Sequence, residues 1–146
     1  MTELSSGQPG ERFVLPHDEM AFRRVYRELL AREAITTVFR PGKRQCGDWR
    51  GYCPGDIVTA KVIAEVGLDR ARVAPIFLPE PRKVIRIDEV KLVRIGDLEA
   101  HDFVNATPDV TSKAQLQWHL GLVYNLDKET LSDDTPITKI TFSYQR

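Results

Sequence analysis

Arg40, Lys43, Arg44, Trp49, Arg50 and Tyr52 fall within thirteen residues. Arginine and lysine neutralise phosphate, and flat aromatic rings stack on unpaired bases, so this mixture has the chemistry of a nucleic-acid contact. From Arg40 to Arg50 four basic side chains face a single acid, Asp48, which concentrates positive potential on one loop. Lys61, on the polar face of the following strand, extends the patch. The same residues also have a structural reading. Trp49 and Tyr52 can anchor a long loop, and Arg40 at a strand end can hold an ion pair.

Other chemistry is sparse. The chain has no Walker-type glycine loop, dinucleotide fingerprint or nucleophile elbow. Six residues lie between Cys46 and Cys53, no second cysteine pair exists, and His17, His101 and His119 are distant in sequence. Zinc needs four ligands, or three and a water, in tight geometry. No metal site and no cofactor are expected, and the cysteines read as two ordinary thiols of a reducing compartment. His119, beside Trp118, reads as a partly exposed helix residue. His101 and Asp102 are adjacent, and adjacent helix residues do not face each other.

Bulk properties narrow the field. Lys plus Arg and Asp plus Glu both number 21, so the chain cannot coat nucleic acid by net charge and any contact is local. No apolar run reaches 18 residues, and the N-terminus lacks the pattern of a signal peptide, so no membrane association is expected and the expected location is cytoplasmic. The 146 residues suffice for one domain with its own core. Residues 1–12, rich in Ser, Gly and charge, read as a flexible arm, and 13–146 as a single domain.

Periodicity supplies the elements that must position these side chains. Asp18 to Ala34 reads as a helix, capped by Asp18, with Phe22, Val25, Tyr26, Leu29 and Leu30 as its apolar stripe. Ile35 to Arg40 reads as a strand ended by Pro41–Gly42, and residues 41–55 as a long loop. Asp56 to Ala64 alternates with period two. Arg72 to Leu78 reads as a further strand, kept at an edge by the prolines at 75, 79 and 81. In Lys83 to Ile95 the phase slips at Asp88–Glu89, which a β-bulge repairs. Asp97 to Phe103 reads as helical turns, Ser112 to Tyr124 as a capped helix, and Ile137 to Tyr144 as the last strand. About five strands and two main helices without regular alternation predict an α+β fold, a small bent barrel.

The chain resembles the ASCH domain family of the PUA-like superfamily. The segments that carry the resemblance are Arg32–Glu33–Ala34–Ile35–Thr36–Thr37–Val38–Phe39–Arg40, Gly55–Asp56, Val84 to Ile95, Ile95–Gly96–Asp97–Leu98, Leu116 to Tyr124 and Ile137 to Tyr144. The resemblance implies a barrel with a cleft beside the first strand that accepts RNA or a modified nucleoside. Some short members resemble amidohydrolases acting on N4-acetylcytidine, with a Lys, a Thr and a Glu in the site. Here the lysine position falls at Ile35 and the threonine position at Val38, with Thr36 and Thr37 out of register.

The resulting first expectation is a non-catalytic module that binds RNA or a nucleotide. Arg40, Lys43, Arg44 and Arg50 contact phosphate, Trp49 or Tyr52 stacks on a base, and Asp56, Glu99 and Asp102 bound the cleft. With zero net charge, binding is weak and falls with salt. The alternative is an N4-acylcytidine amidohydrolase using Thr36, Thr37, Lys43, Glu99 and Asp102. A second alternative is a protein-interaction module anchored by Trp49 and Tyr52. The exposed barrel ends leave dimerisation open.

Overall fold

The computed structural model describes residues 18–48, 50–65, 74–123 and 131–145. The expected arm at 1–12, His17 and Trp49 lie outside them. Among the described residues the strands are β1 (Glu19–Phe22), β2 (Thr37–Pro41), β3 (Ile57–Glu65), β4 (Ile76–Arg94) and β5 (Pro136–Tyr144), with helices α1 (Arg27–Ala31) and α2 (Lys113–Val123). Short 3₁₀ turns at Arg24–Tyr26, Ile95–Asp97 and Ala100–Phe103 complete the set. The strands form one mixed sheet in the order β1-β3-β4-β5-β2, with β1 parallel to β3 and the other pairs antiparallel. This is the expected α+β architecture, a five-stranded half-barrel flanked by helices.

The alternation in β3 is realised: Val58, Ala60 and Val62 are buried, while Thr59 and Lys61 lie on the other face. The expected phase slip in β4 is also present. Ile87 pairs with Phe142 and Glu89 with Thr141, so Asp88 is the extra residue of a bulge. Ile85 and Ile87 are fully buried before it, and Val90 returns to the core after it. A second interruption lies further back. Lys61 pairs with Arg82 but Ile63 pairs with Phe77, so Leu78–Pro81 has no regular ladder partner on β3. Pro79 and Pro81 occupy this gap, where the missing N–H groups cost nothing. The two strands expected at Arg72 to Leu78 and Lys83 to Ile95 are therefore one, apart from 72 and 73, which lie outside the described residues.

The first element differs from expectation. Glu19–Phe22 is a strand, and the helix is confined to Arg27–Ala31 behind a single 3₁₀ turn. Met20 and Phe22 are buried while Glu19 and Ala21 are only partly so, a period of two that the longer helical stripe conceals. Pairing with β3, from Glu19↔Thr59 to Phe22↔Val62, overrides the local signal. Phe22, Tyr26 and Leu30 still enter one core, but Val25 is exposed.

That core fills the half-barrel with Met20, Phe22, Tyr26, Leu30, Ile35, Val38 and residues of β3, β4 and β5. A second core sits under α2, where Leu116 and Leu120 cover Phe39, Ile95, Leu98 and Ile137. The sheet curls so far that Phe22 of β1 meets Phe142 of β5 edge to face, with centroids 6.2 Å apart. The two edge strands, β1 and β2, face each other across a seam. Side chains close it. Arg40 Nη2 donates to the Ala21 carbonyl at 3.0 Å, and Tyr52 Oη donates to the Glu19 carbonyl at 2.5 Å. Asp18, one residue out of phase, uses its carbonyl toward β3 by accepting from Thr59 N.

These two bonds predict the stability of the seam. Tyr52→Phe is expected to lower unfolding free energy by about 0.5–1.5 kcal/mol, and Arg40→Met, which removes a charged donor, by about 1.5–3 kcal/mol. Urea unfolding monitored by circular dichroism measures both, and equal stability of all three proteins would remove the seam from the account.

Candidate functional site

The basic loop is built from its own hydrogen bonds. Asp48 Oδ2 accepts from Gln45 N at 2.9 Å, Asp48 N donates to Gln45 O, and Gly51 N donates to Asp48 O. A Cβ at Gly51 would lie 2.0 Å from the Gln45 carbonyl oxygen, so this tight return admits only glycine. Thr138, fully buried on β5, ties the loop down: its hydroxyl donates to Gly42 O at 2.7 Å and accepts from Arg44 N at 2.8 Å. Tyr52 N donates to Arg44 O, which draws the two arms of the loop together. Cys46 and Cys53 consequently lie with Cα atoms 4.3 Å apart and form a disulfide. The expectation of two separate thiols is corrected by that fold-back.

The loop cations have local partners. Lys43 pairs with Asp48 at 3.5 Å, and Arg44 Nε donates to Pro41 O at 3.1 Å. Arg50 is partly buried and adopts a φ of 60°. Lys61 is ion-paired with Glu19 and lies over the Phe77 ring. Asp56 accepts from Cys53 N at 2.8 Å, as a turn former. Tyr52 packs on the barrel core and uses its hydroxyl in the seam, the anchoring role.

Of the residues expected for deacylation, Lys43 stands apart from the others. Thr37 is buried on β2, and the N–H groups of Thr36 and Thr37 both donate to Asn105 O. Lys43 lies beyond the far end of β2, and four strand residues already span about 13 Å. Glu99 and Asp102 start a 3₁₀ turn as a reciprocal capping box. Asp102 accepts from Lys139 Nζ at 2.8 Å and from Glu99 N at 2.8 Å. Burial raises its pKa, and these hydrogen bonds outweigh burial to hold it below the ordinary value. In this turn Asp102 folds back, so His101 Nε2 lies 3.6 Å from its carboxylate, contrary to the expectation for helix neighbours.

A different constellation stands at the seam. Tyr26 Oη lies 3.0 Å and 2.8 Å from the two carboxylate oxygens of Asp109, to which it donates. His119 Nδ1 lies 3.6 Å from the same carboxylate, beyond hydrogen-bond length, and its ring lies 6.4 Å from that of Tyr26. The Arg23 guanidinium sits over the Tyr26 ring at 5.8 Å. Arg40, fixed by Ala21, sits over Phe22 at 5.9 Å. The Thr107 hydroxyl lies beside Tyr26 and Asp109 and favours the ionised form of each.

The electrostatics of this group are uneven. Burial lowers the His119 pKa, Asp109 opposes that, and Arg23 and Arg40 lower it further. The net result is a neutral imidazole at neutral pH. Burial and the Asp109 bond raise Tyr26. Burial also raises Asp109, but bonds from Tyr26 and Thr107 prevail and lower it. His119 is the partly exposed helix residue expected from the sequence, with its side chain mostly covered, while Trp118 beside it is exposed. Spacing carried the signal: His119 follows the buried Leu116 by three residues and precedes the buried Leu120. Asp109 carried none, because its partner Tyr26 is 83 residues away. Among the described residues no group of three or more His, Cys, Asp or Glu side chains can hold a metal, and no helix is long and apolar enough to cross a membrane.

No protein-family model matches the chain, and no curated protein matches it. The crystal structure of protein EF3133 from Enterococcus faecalis V583, described as DUF984, aligns with it at 8% sequence identity and a TM-score of 0.44, over 80% of this chain and 67% of that one.

The buried imidazole makes stability depend on pH. Because folding lowers the His119 pKa, the unfolded chain binds more protons just below the ordinary value of 6.5. Its contribution is complete above that value and is lost as pH falls through the lowered one. His119→Gln is expected to flatten this part of the curve. Urea unfolding between about pH 7.5 and pH 5.5 checks it, and an equal acid loss in both proteins would contradict it.

Proposed function

We propose that this protein is a small binding module for RNA or a nucleotide, of the ASCH, PUA-like kind its sequence resembles, and that the phosphate lies at the seam of the half-barrel. One observation carries the reading: the Arg40 bridge to Ala21 brings the basic end of β2 against the arginine-rich segment after β1. Arg23 and Arg40 act on the buried Tyr26 and the mostly covered His119, while Arg24 and Arg27 are exposed on the same short segment as Arg23. Positive potential is thereby concentrated in a chain whose net charge is zero. Trp118, exposed next to His119 on α2, offers a flat ring to an unpaired base. This moves the stacking role away from Tyr52, whose hydroxyl is engaged in the seam. Lys43, beyond the far end of β2 from Thr37 and paired with Asp48, gives the deacylase alternative no comparable support.

Single-stranded RNA at low salt should quench tryptophan fluorescence on binding. Arg23→Ala should weaken binding across sequences and reduce the slope of log affinity against log salt by about 0.7, the loss of one phosphate contact on a single strand. Arg86→Ala is the control, since Arg86 pairs with Asp88 on the outer face of β4. Equal effects of the two substitutions, or no binding by the wild type, would refute the seam as the site.

A further inference from the structure

The Cys46–Cys53 disulfide joins two arms of the basic loop that are anchored on different strands. On one side the Thr138 hydroxyl of β5 holds Gly42 O and Arg44 N, at 2.7 Å and 2.8 Å. On the other, Gly55 N donates to Ile87 O at 2.7 Å and Ile87 N donates to Asp56 O at 2.9 Å, which ties this arm to β4. Asp56 Oδ2 in turn accepts from Cys53 N at 2.8 Å. Between the arms, Tyr52 N donates to Arg44 O at a long 3.3 Å. The enclosed segment carries strain. Arg50 has a φ of 60°, in the left-handed region that a side chain enters at a cost and keeps only where its surroundings enforce it. The cross-link that enforces it is within reach of a reagent, since Cys46 is exposed and Cys53 partly so.

Tyr52, the residue before Cys53, passes this closure on to the seam. Its ring packs against the barrel core and its hydroxyl donates to the Glu19 carbonyl at 2.5 Å. Arg40, the other half of the seam, lies on β2 at the opposite end of the loop and donates to Ala21 O at 3.0 Å. A change at the disulfide therefore reaches the Tyr52 bond and spares the Arg40 bond.

We infer that the Cys46–Cys53 disulfide is a redox switch, through which a dithiol reductant opens the basic loop and releases the Tyr52 half of the seam. One thiolate of the reductant attacks the exposed Cys46 Sγ. The bond between the two cysteine sulfurs breaks, and Cys53 Sγ leaves with its electron pair and takes up a proton. The second thiolate of the reductant attacks its own sulfur in the mixed disulfide, and Cys46 Sγ leaves and takes up a proton. The protein gains two electrons and two protons, and the dithiol, which has lost both, closes into a cyclic disulfide. Freed of the cross-link, Arg50 returns to negative φ, and the backbone and hydroxyl bonds of Tyr52 give way with it. Exchange with an oxidised disulfide closes the loop again. The switch acts on the protein's own bonds and operates with or without a ligand at the seam.

Urea unfolding of the wild type and Tyr52→Phe, each oxidised and each reduced by dithiothreitol, measures the coupling. In the oxidised pair Tyr52→Phe should raise the unfolding equilibrium constant about 2- to 13-fold, the worth of one hydrogen bond. In the reduced pair it should leave that constant unchanged. Hydrogen exchange under native conditions gives a second readout. Reduction should speed exchange at the Asp48, Gly51 and Tyr52 amides by about 10-fold or more, leave the paired amides of β3, β4 and β5 as they were, and be reversed by oxidised glutathione. Cys46→Ser combined with Cys53→Ser should behave as the reduced wild type. An equal Tyr52→Phe factor in both redox states would make the cross-link a staple without influence on the seam and overturn the inference. Faster exchange spread over all the strands would overturn it too, as would two titratable thiols in air-oxidised protein unfolded without reductant.

Discussion

The carbonyls of Glu19 and Ala21 point away from β3, toward a position where a further strand would lie. Backbone carbonyls inside a folded protein must find donors, and among the described residues no strand is there to provide them. Tyr52 and Arg40 do so instead. The curl of the sheet, the placing of the loop and the approach of the first arginines to β2 all depend on this substitution of side chains for a ladder. The two donors come from either end of residues 41–55, so the loop and the barrel cannot be ordered independently. The bulge at Asp88 and the gap at Leu78–Pro81 bend β4 enough for the edges to come within reach of side chains.

The remaining buried polar groups follow the same logic. Thr138 is fully buried on β5, yet its hydroxyl has both a donor and an acceptor in the loop. Lys139, its neighbour, points to the other face and meets Asp102, with both side chains largely covered. Such a pair gains little over an apolar one in stability, but removal of either partner leaves an uncompensated charge. Tyr144 donates to the Ile35 carbonyl at 2.5 Å, and burial together with the nearby Glu33 pushes its pKa up to about 12. It therefore acts as a neutral donor at the start of β2. Asn105, with a φ of 60°, lends its carbonyl to both Thr36 and Thr37. Polar side chains and loop carbonyls thus complete what the strands leave unpaired.

Much of the fold was legible in periodicity. β3 and β5 follow their alternation, Leu116 and Leu120 of α2 are buried as its stripe requires, and the slip at Asp88–Glu89 marked a real bulge. β1 was not legible, because Phe22, Tyr26 and Leu30 satisfy helical spacing even though Phe22 belongs to a strand. Its strand character comes from β3, forty residues on in every pair, and no local pattern contains that information. The basic loop was legible as a cluster, but its internal partners were not. Arg40 was recognised as both a phosphate contact and a structural residue, and the Ala21 bond gives it the structural part. Tyr26, Asp109 and His119 converge only through the closure of the sheet.

The line where β1 meets β2 differs mechanically from every other strand boundary. Elsewhere, separating two strands breaks a cooperative series of backbone bonds and exposes an apolar face. Here separation breaks two side-chain hydrogen bonds and the packing of Phe22 against Phe142 and Arg40, and leaves each strand attached to its own neighbour. The half-barrel behaves as a split ring held by a clasp, and its easiest excursion is to spring open along the clasp without losing any ladder. The Glu19 and Ala21 amides, on the seam side of β1, would exchange with solvent through that opening well below the cost of global unfolding. The same motion widens the approach to the imidazole and the two arginines, so whatever enters there need not wait for the rest of the chain to move.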